Sequence, residues 1–203
     1  MSSSAAPADT PVKLVARAKL PTAFGVFESL GFFDIRTQRE AVVLVKGEPF
    51  PAARPPLVRI HSQCLTGDVF DSQRCDCGSQ LKRAMELLAA DEAGLLVYEF
   101  EEGRGIGILN KLRAYALQDE GADTIDANGI LGLPIDARTY ETSVAIIEWF
   151  GLRSVRLLTN NLDKVEALVR RHIEVERIPL VVDVVPLARH YLATKKMRLG
   201  HDL

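Results

Sequence analysis

Cys64, Cys75 and Cys77 are the three cysteines of this 203-residue chain, and all fall in one short run. That run reads Arg59-Ile60-His61-Ser62-Gln63-Cys64 and then, ten residues on from Cys64, Arg74-Cys75-Asp76-Cys77-Gly78. Thiolates converge in a non-secreted protein mainly to hold a soft or borderline metal, most often Zn²⁺ at about 2.3 Å per Zn–S bond. A closed structural site takes four protein ligands, whereas three leave a position for water, the pattern of a catalytic zinc. A closed site with His61 as fourth ligand competes with that reading. Buried structural thiols and a disulfide are the plainer alternatives, although the odd count and the absence of a secretory start speak against an oxidised framework.

Other candidate positions lie further along. Glu101-Glu102-Gly103-Arg104-Gly105-Ile106-Gly107 stands between an expected strand and helix, where amides freed by glycine and a helix N-terminus can meet a phosphate. Arg104, Lys111 and Arg113 could supplement that site, but the spacing matches neither the P-loop nor the dinucleotide fingerprint, and a plain loop is an equal reading. Asp136-Ala137-Arg138-Thr139 reads locally as a turn and cap. Thr159-Asn160-Asn161-Leu162-Asp163-Lys164 follows a strand and precedes a helix, the end of an α/β sheet where ligands gather, although an ordinary βα turn fits these residues equally. His172, His190, Tyr191, Lys195, Lys196 and His201 receive no functional role.

Composition narrows the class. A net charge of −2 leaves no bulk footprint for nucleic acid or an anionic membrane, so a polyanionic ligand would need a local cationic site. No apolar run is long enough to span a bilayer, and Met1-Ser2-Ser3-Ser4-Ala5-Ala6-Pro7 lacks signal-peptide character, which makes the cytoplasm the expected compartment.

The elements that must position these residues follow from hydrophobic periodicity. Residues 1–11 read as a disordered lead-in and 12–203 as one continuous domain. Val12 to Lys19 alternates as a half-buried strand; Val26–Leu30, Ala41–Val45 and Leu57–Ile60 are three more, the last delivering His61 and Cys64. Leu81, Ala84, Met85 and Leu88 predict a helix capped by Ser79 and ended by Gly94, followed by a strand over Leu95–Tyr98. Leu109 to Leu117 predicts a helix stopped by Gly121, and Arg138–Phe150 another. A strand over Ser154–Leu158, a helix over Lys164–Arg171 and a strand over Val175–Val182 complete the pattern. The fold class is mixed α/β, with a β-rich N-terminal third and then alternating strands and helices around a mixed sheet.

Taken together, Arg59 to Asp68, Arg74 to Gly78, Glu102-Gly103-Arg104, Asn110 to Gln118 and Leu157 to Asn161 resemble GTP cyclohydrolase II over roughly residues 12–201. The resemblance implies a hydrolase of riboflavin biosynthesis that opens the guanine imidazole ring of GTP and releases formate and pyrophosphate. Its product would be a diaminopyrimidinone ribosylamino 5′-phosphate. By that likeness Cys64, Cys75 and Cys77 hold zinc. Arg59, Ile60, His61, Ser62, Gln63, Gln80, Glu102, Gly103, Arg104, Thr124, Thr159 and Lys164 contact GTP. Asp136 matches the proton acceptor, Arg138 the residue acting at the α-phosphate, and Tyr115 a tyrosine of the ring-opening chemistry. Mg²⁺ would accompany the triphosphate, and the enzyme would be a homodimer. A guanidinium stays protonated in proteins, so Arg138 reads as a clamp for phosphate charge rather than a nucleophile.

Two positions depart from the family pattern: Gln63 stands where many members have glutamate, and Gly105 where many have asparagine. The first removes a carboxylate beside the expected metal, which puts unaltered rate and base selectivity in question. Some family members stop at a formamide-containing pyrimidine, and a tyrosine at position 115 favours full deformylation. A noncatalytic zinc module that binds nucleotide is the alternative from another class; a purine deaminase is disfavoured because its His-x-Glu and Pro-Cys-x-x-Cys signature is missing.

Overall fold

The computed structural model describes residues 10–182, apart from positions 49 and 52. Residues 1–9 of the expected lead-in over 1–11 and the C-terminal His190, Tyr191, Lys195, Lys196 and His201 lie outside the described residues. The chain groups into two compact units, each assembled from separated segments.

The first unit takes residues up to His61, Arg83–Glu99 and Tyr140–Leu180. It is built on a seven-stranded sheet of order β1-β2-β3-β5-β4-β6-β7. The strands are β1 (Val12–Thr22), β2 (Gly25–Asp34), β3 (Arg39–Lys46), β4 (Leu57–Ser62), β5 (Gly94–Glu99), β6 (Ser154–Leu158) and β7 (Glu174–Ile178). The β1-β2-β3-β5 side is antiparallel, while β4, β6 and β7 run parallel, so the sheet is mixed as expected. The parallel side needs crossovers, and β6 reaches β7 through helix α6 (Leu162–Val169).

Val43, Ile60, Leu95, Val97 and Leu157 from the sheet pack with Ile146 and Ile147 of helix α5 (Glu141–Trp149) and with Leu168 of α6. Trp149 meets Phe32 edge-on at 5.1 Å between ring centroids. Two buried carboxylates fasten the start of α5: Asp34 of β2 accepts from the Thr142 hydroxyl at 3.0 Å, and Glu99 of β5 from the Ser143 amide at 3.1 Å. Acidic groups at a helix N-terminus also meet its partial positive charge.

The second unit takes Ser62–Lys82, Phe100–Thr139 and the residues from Val181. It contains the short helix α1 (Leu65–Asp68), the first residues of α2 (Cys77–Ala90), a 3-10 turn (Glu102–Gly105), α3 (Ile108–Asp119) and α4 (Thr124–Ile130).

Several expectations from sequence need correction. Helix α2 starts at Cys77, so Ser79 lies inside it rather than capping it. It ends at Ala90, and Gly94 opens β5 instead, because a Cβ there would come within 2.3 Å of the Leu57 carbonyl oxygen on the neighbouring strand. Helix α5 starts at Glu141 rather than Arg138, since Tyr140 takes a left-handed conformation (φ 58°) that breaks the helix before it. Strand β1 is exposed along nearly all its length rather than half-buried; beyond Val12 both its faces meet solvent. Helices α1 and α4 are additional to the expected set, being short, with Asn128 and Gly129 weakening the helical signal of α4.

Candidate functional site

In the second unit, Cys64 precedes α1, and Cys75 and Cys77 lead into α2. The three Sγ atoms lie within 4.8 Å of one another, and among the described residues they form the group of potential metal ligands. The Cys64 and Cys75 sulfurs are 3.6 Å apart, and none of the three cysteines is in a disulfide. Glycine makes this convergence possible. A Cβ on Gly67 would sit 3.0 Å from the Cys75 sulfur and 3.2 Å from the Cys64 sulfur, and one on Gly78 would strike the Gly67 carbonyl oxygen at 2.1 Å. Close sulfurs without a disulfide are a donor set suited to a thiophilic divalent ion such as zinc.

Polar groups hold the Cys64 loop. The Cys64 amide donates to the Asp68 carboxylate at 3.0 Å. The Leu65 amide donates to Glu102 Oε2 at 2.6 Å, while Glu102 Oε1 accepts from the Gly103 amide and from Lys111 Nζ, each at 2.8 Å. Lys111 also donates to the Cys64 sulfur at 3.1 Å. The Cys64 thiol is held well below its ordinary range by hydrogen bonds from Cys75 and Cys77, with the Lys111 charge adding to them. Cys75, hydrogen-bonded to the Cys64 sulfur, is pushed up. Burial would lower the Lys111 ammonium, but the charge on Cys64 and the bond to Glu102 carry it above its ordinary value.

Tyr115 projects from α3 into the same unit, where the Arg74 guanidinium lies 4.7 Å from its ring centroid and Lys111 Nζ lies 5.8 Å away. Burial raises the Tyr115 phenol, so the hydroxyl keeps its proton at neutral pH and can donate it.

Asp136 and Arg138 stand outside any helix and form a forked ion pair. Arg138 Nε donates to Asp136 Oδ1 at 2.9 Å and Nη2 to Oδ2 at 2.5 Å, while Nη1 donates to the Ser62 hydroxyl at 3.3 Å. Burial alone would raise the Asp136 carboxyl, but Arg138, helped by the charge of Arg104, holds it below the usual carboxylate range. The local turn reading also survives, because the Arg138 amide donates to Asp136 Oδ1 at 3.0 Å.

The glycine-rich loop spends its amides internally. Gly103 N donates to its neighbour Glu102, Ile106 N to the Gly103 carbonyl, and Gly107 N to the Glu102 carbonyl, so these three do not present themselves to a phosphate. The left-handed conformations of Gly103, Arg104, Gly105 and Gly107 produce this curl. Gly105 packs so that an added Cβ would lie 3.2 Å from that of Ala137. Gln80 donates to Asp76 at 2.6 Å, Gln63 is half-buried, and Thr124 opens α4.

The remaining expected residues belong to the sheet unit. Arg59 donates to the Leu158 carbonyl at 2.9 Å, Lys164 donates to the Ile60 carbonyl at 2.9 Å, and the Thr159 hydroxyl accepts from the Asn161 amide at 3.0 Å. These residues therefore gather at the carboxyl ends of the parallel strands β4 and β6, with Lys164 Nζ 5.2 Å from the Tyr140 ring centroid. His61 stacks on Tyr98 at 5.4 Å between centroids, and its Nδ1 lies 3.5 Å from Arg59.

Sequence reasoning missed Asp68, Thr66 and Arg74, which serve the Cys64 loop and the Tyr115 ring. The four-residue spacing of Cys64 and Asp68 is a signal that could have found the first. Lys111, expected to supplement a phosphate site, instead reaches the thiol cluster.

Comparison with known proteins gives a consistent result. A family profile described as GTP cyclohydrolase II matches residues 13–179. A GTP cyclohydrolase-2 of Pseudomonas putida (strain W619) is 52% identical over 194 residues, covering 95% of this chain and 94% of its own. GTP cyclohydrolase-2 proteins of Haemophilus influenzae (strain PittEE) and Acinetobacter baumannii (strain AB0057) are each 47% identical, over 94% of this chain and 88% and 96% of theirs. Among solved structures, RibBX, a two-domain 3,4-dihydroxy-2-butanone 4-phosphate synthase from A. baumannii, aligns with a TM-score of 0.50 at 19% identity. That alignment covers 87% of this chain and 42% of the other, and it bears on the fold alone.

Proposed function

The chain belongs to the GTP cyclohydrolase II family of hydrolases, and from that premise we propose that it opens the guanine imidazole ring of GTP in riboflavin biosynthesis, releasing formate and pyrophosphate. The observation that carries this reading is the convergence of the Cys64, Cys75 and Cys77 sulfurs within the matched region. These three would hold one Zn²⁺, whose Lewis acidity lets water act as a nucleophile near neutral pH.

The chain's own residues divide the remaining work. Tyr115, which keeps its phenolic proton, donates a hydrogen bond to a ring nitrogen or developing oxyanion during ring opening. Arg138 has the fork geometry for phosphate, and binding the α-phosphate would draw it from Asp136, freeing that carboxylate to accept a proton. Arg59, Ile60, His61, Thr159 and Lys164 supply donors and a stacking surface for the nucleotide; Ser62, Gln63, Gln80, Gly103, Arg104 and Thr124 complete the contacts. Glu102 serves first as an anchor, given its bonds to Leu65, Gly103 and Lys111. Mg²⁺ accompanies the triphosphate, because its charge needs metal as well as cationic side chains.

We place this activity in one catalytic domain over residues 12–203, acting as a homodimer in the cytoplasm. Cysteines outside disulfides suit a reducing compartment, and among the described residues no helix is long and apolar enough to cross a membrane. Incubation of the protein with GTP, Zn²⁺ and Mg²⁺ is expected to yield formate and pyrophosphate in equal amounts. Pyrophosphate with the C8 carbon retained in the product, read by mass spectrometry, would identify an enzyme that stops at the formamidopyrimidine instead, and release of neither would overturn the proposal.

A further inference from the structure

We propose that Lys111 is a positioning residue for the ring-opening reaction, acting through Cys64 by donating a hydrogen bond to that sulfur and fixing where it points. The inference rests on reading the three thiols as a metal site. Its basis is a closed circuit of contacts. Lys111 Nζ lies 3.1 Å from the Cys64 sulfur and 2.8 Å from Glu102 Oε1. Glu102 in turn binds the amide of Leu65, the residue next to Cys64, at 2.6 Å. The lysine side chain is only 12% exposed and that of Glu102 9%, so this ammonium is held at the sulfur rather than swinging in water.

The charge balance gives the contact a purpose. Three thiolates around a divalent ion leave one negative charge in excess, and a cation bonded to one sulfur offsets it. An N–H···S bond also draws electron density from the sulfur, which weakens its donation to the metal and leaves the metal a stronger Lewis acid. Glu102 serves both ends of this arrangement, aiming the ammonium and holding the backbone beside Cys64. A lysine on α3 and a carboxylate in the 3-10 turn thereby set the properties of a ligand in the Cys64 loop.

The test uses the full-length protein loaded with Co²⁺ in place of zinc. The wild-type protein is expected to bind one Co²⁺ per chain and show sulfur-to-cobalt charge transfer; absence of such binding would overturn the metal reading itself and the inference with it. Lys111→Met is expected to bind the same amount of Co²⁺ with the charge-transfer band moved to lower energy. Iodoacetamide should alkylate its Cys64 faster, as mapped on peptides. With zinc, kcat for GTP should fall about 10- to 100-fold while KM holds. Lys111→Arg should return the band towards its wild-type position. Lys111→Gln, measured alongside, gives the same readout should the methionine variant not fold. An unshifted band and unchanged alkylation in both neutral variants, with cobalt bound, would overturn the role of Lys111 and leave the metal site standing.

Discussion

At the residue scale, the most informative pair is Asp136 and Arg138, because it changes how two expected roles fit together. A guanidinium engaged at 2.9 and 2.5 Å by both carboxylate oxygens is a poor nucleophile, while the carboxylate it neutralises is a weakened base. Both difficulties ease when a phosphate competes for the arginine. Arg138→Lys keeps the charge and loses the fork, so kcat/KM for GTP should fall about 10- to 100-fold, matching the loss of roughly 1.5–3 kcal/mol of charged hydrogen bonding. Steady-state formate release measures this, and a variant as fast as wild type would deny Arg138 any clamping role. The residue types at these positions were legible in sequence. Their mutual engagement was not, because the helix expected from Arg138 gives way to an irregular stretch that ends at the left-handed Tyr140.

At the element scale, α5 depends on two acids buried beneath its first turn. Asp34 is fully buried, and burial would raise its carboxyl, yet bonds from Arg36 and Thr142 hold it below the ordinary value. A carboxylate depressed in the folded state contributes stability that is fully present above the unfolded pKa of about 3.9 and is lost as pH falls through the lower folded value. Asp34→Asn should therefore cost about 1–3 kcal/mol near neutral pH, with the gap from wild type narrowing as the pH drops below about 4. Urea unfolding at stepped pH tests this; a gap independent of pH would contradict it. Strand and helix positions were largely readable from periodicity, and β3, β4, β5 and β6 fall close to where alternation and apolar runs put them. The ends were less so. Tyr140 turns left-handed, with its hydroxyl bonded to Asn161 at 3.0 Å, and that tertiary contact is invisible in a local window.

At the scale of the whole molecule, the exposed β1–β2 hairpin is the feature that a single chain leaves unexplained. Leu14, Val15, Leu20 and Val26 all meet solvent there, Val15 with 71% of its surface, although β1 carries the alternation of a half-buried strand. The proposed homodimer gives that pattern a partner. Sedimentation should return twice the 22.4 kDa chain mass, and Val15→Glu should shift the population towards monomer; a wild-type monomer at all concentrations would remove the dimer. The sequence by itself determined the mixed α/β class, the three sulfurs as a candidate metal-binding set and the family, because periodicity, residue chemistry and motif order are properties of the linear chain. Only the tertiary structure decided that Lys111 serves a sulfur rather than a phosphate, that Glu102 anchors the Cys64 loop, and that the glycine loop turns its amides inward. Those outcomes depend on distances between residues up to 47 positions apart, fixed by where α3 and the 3-10 turn come to rest.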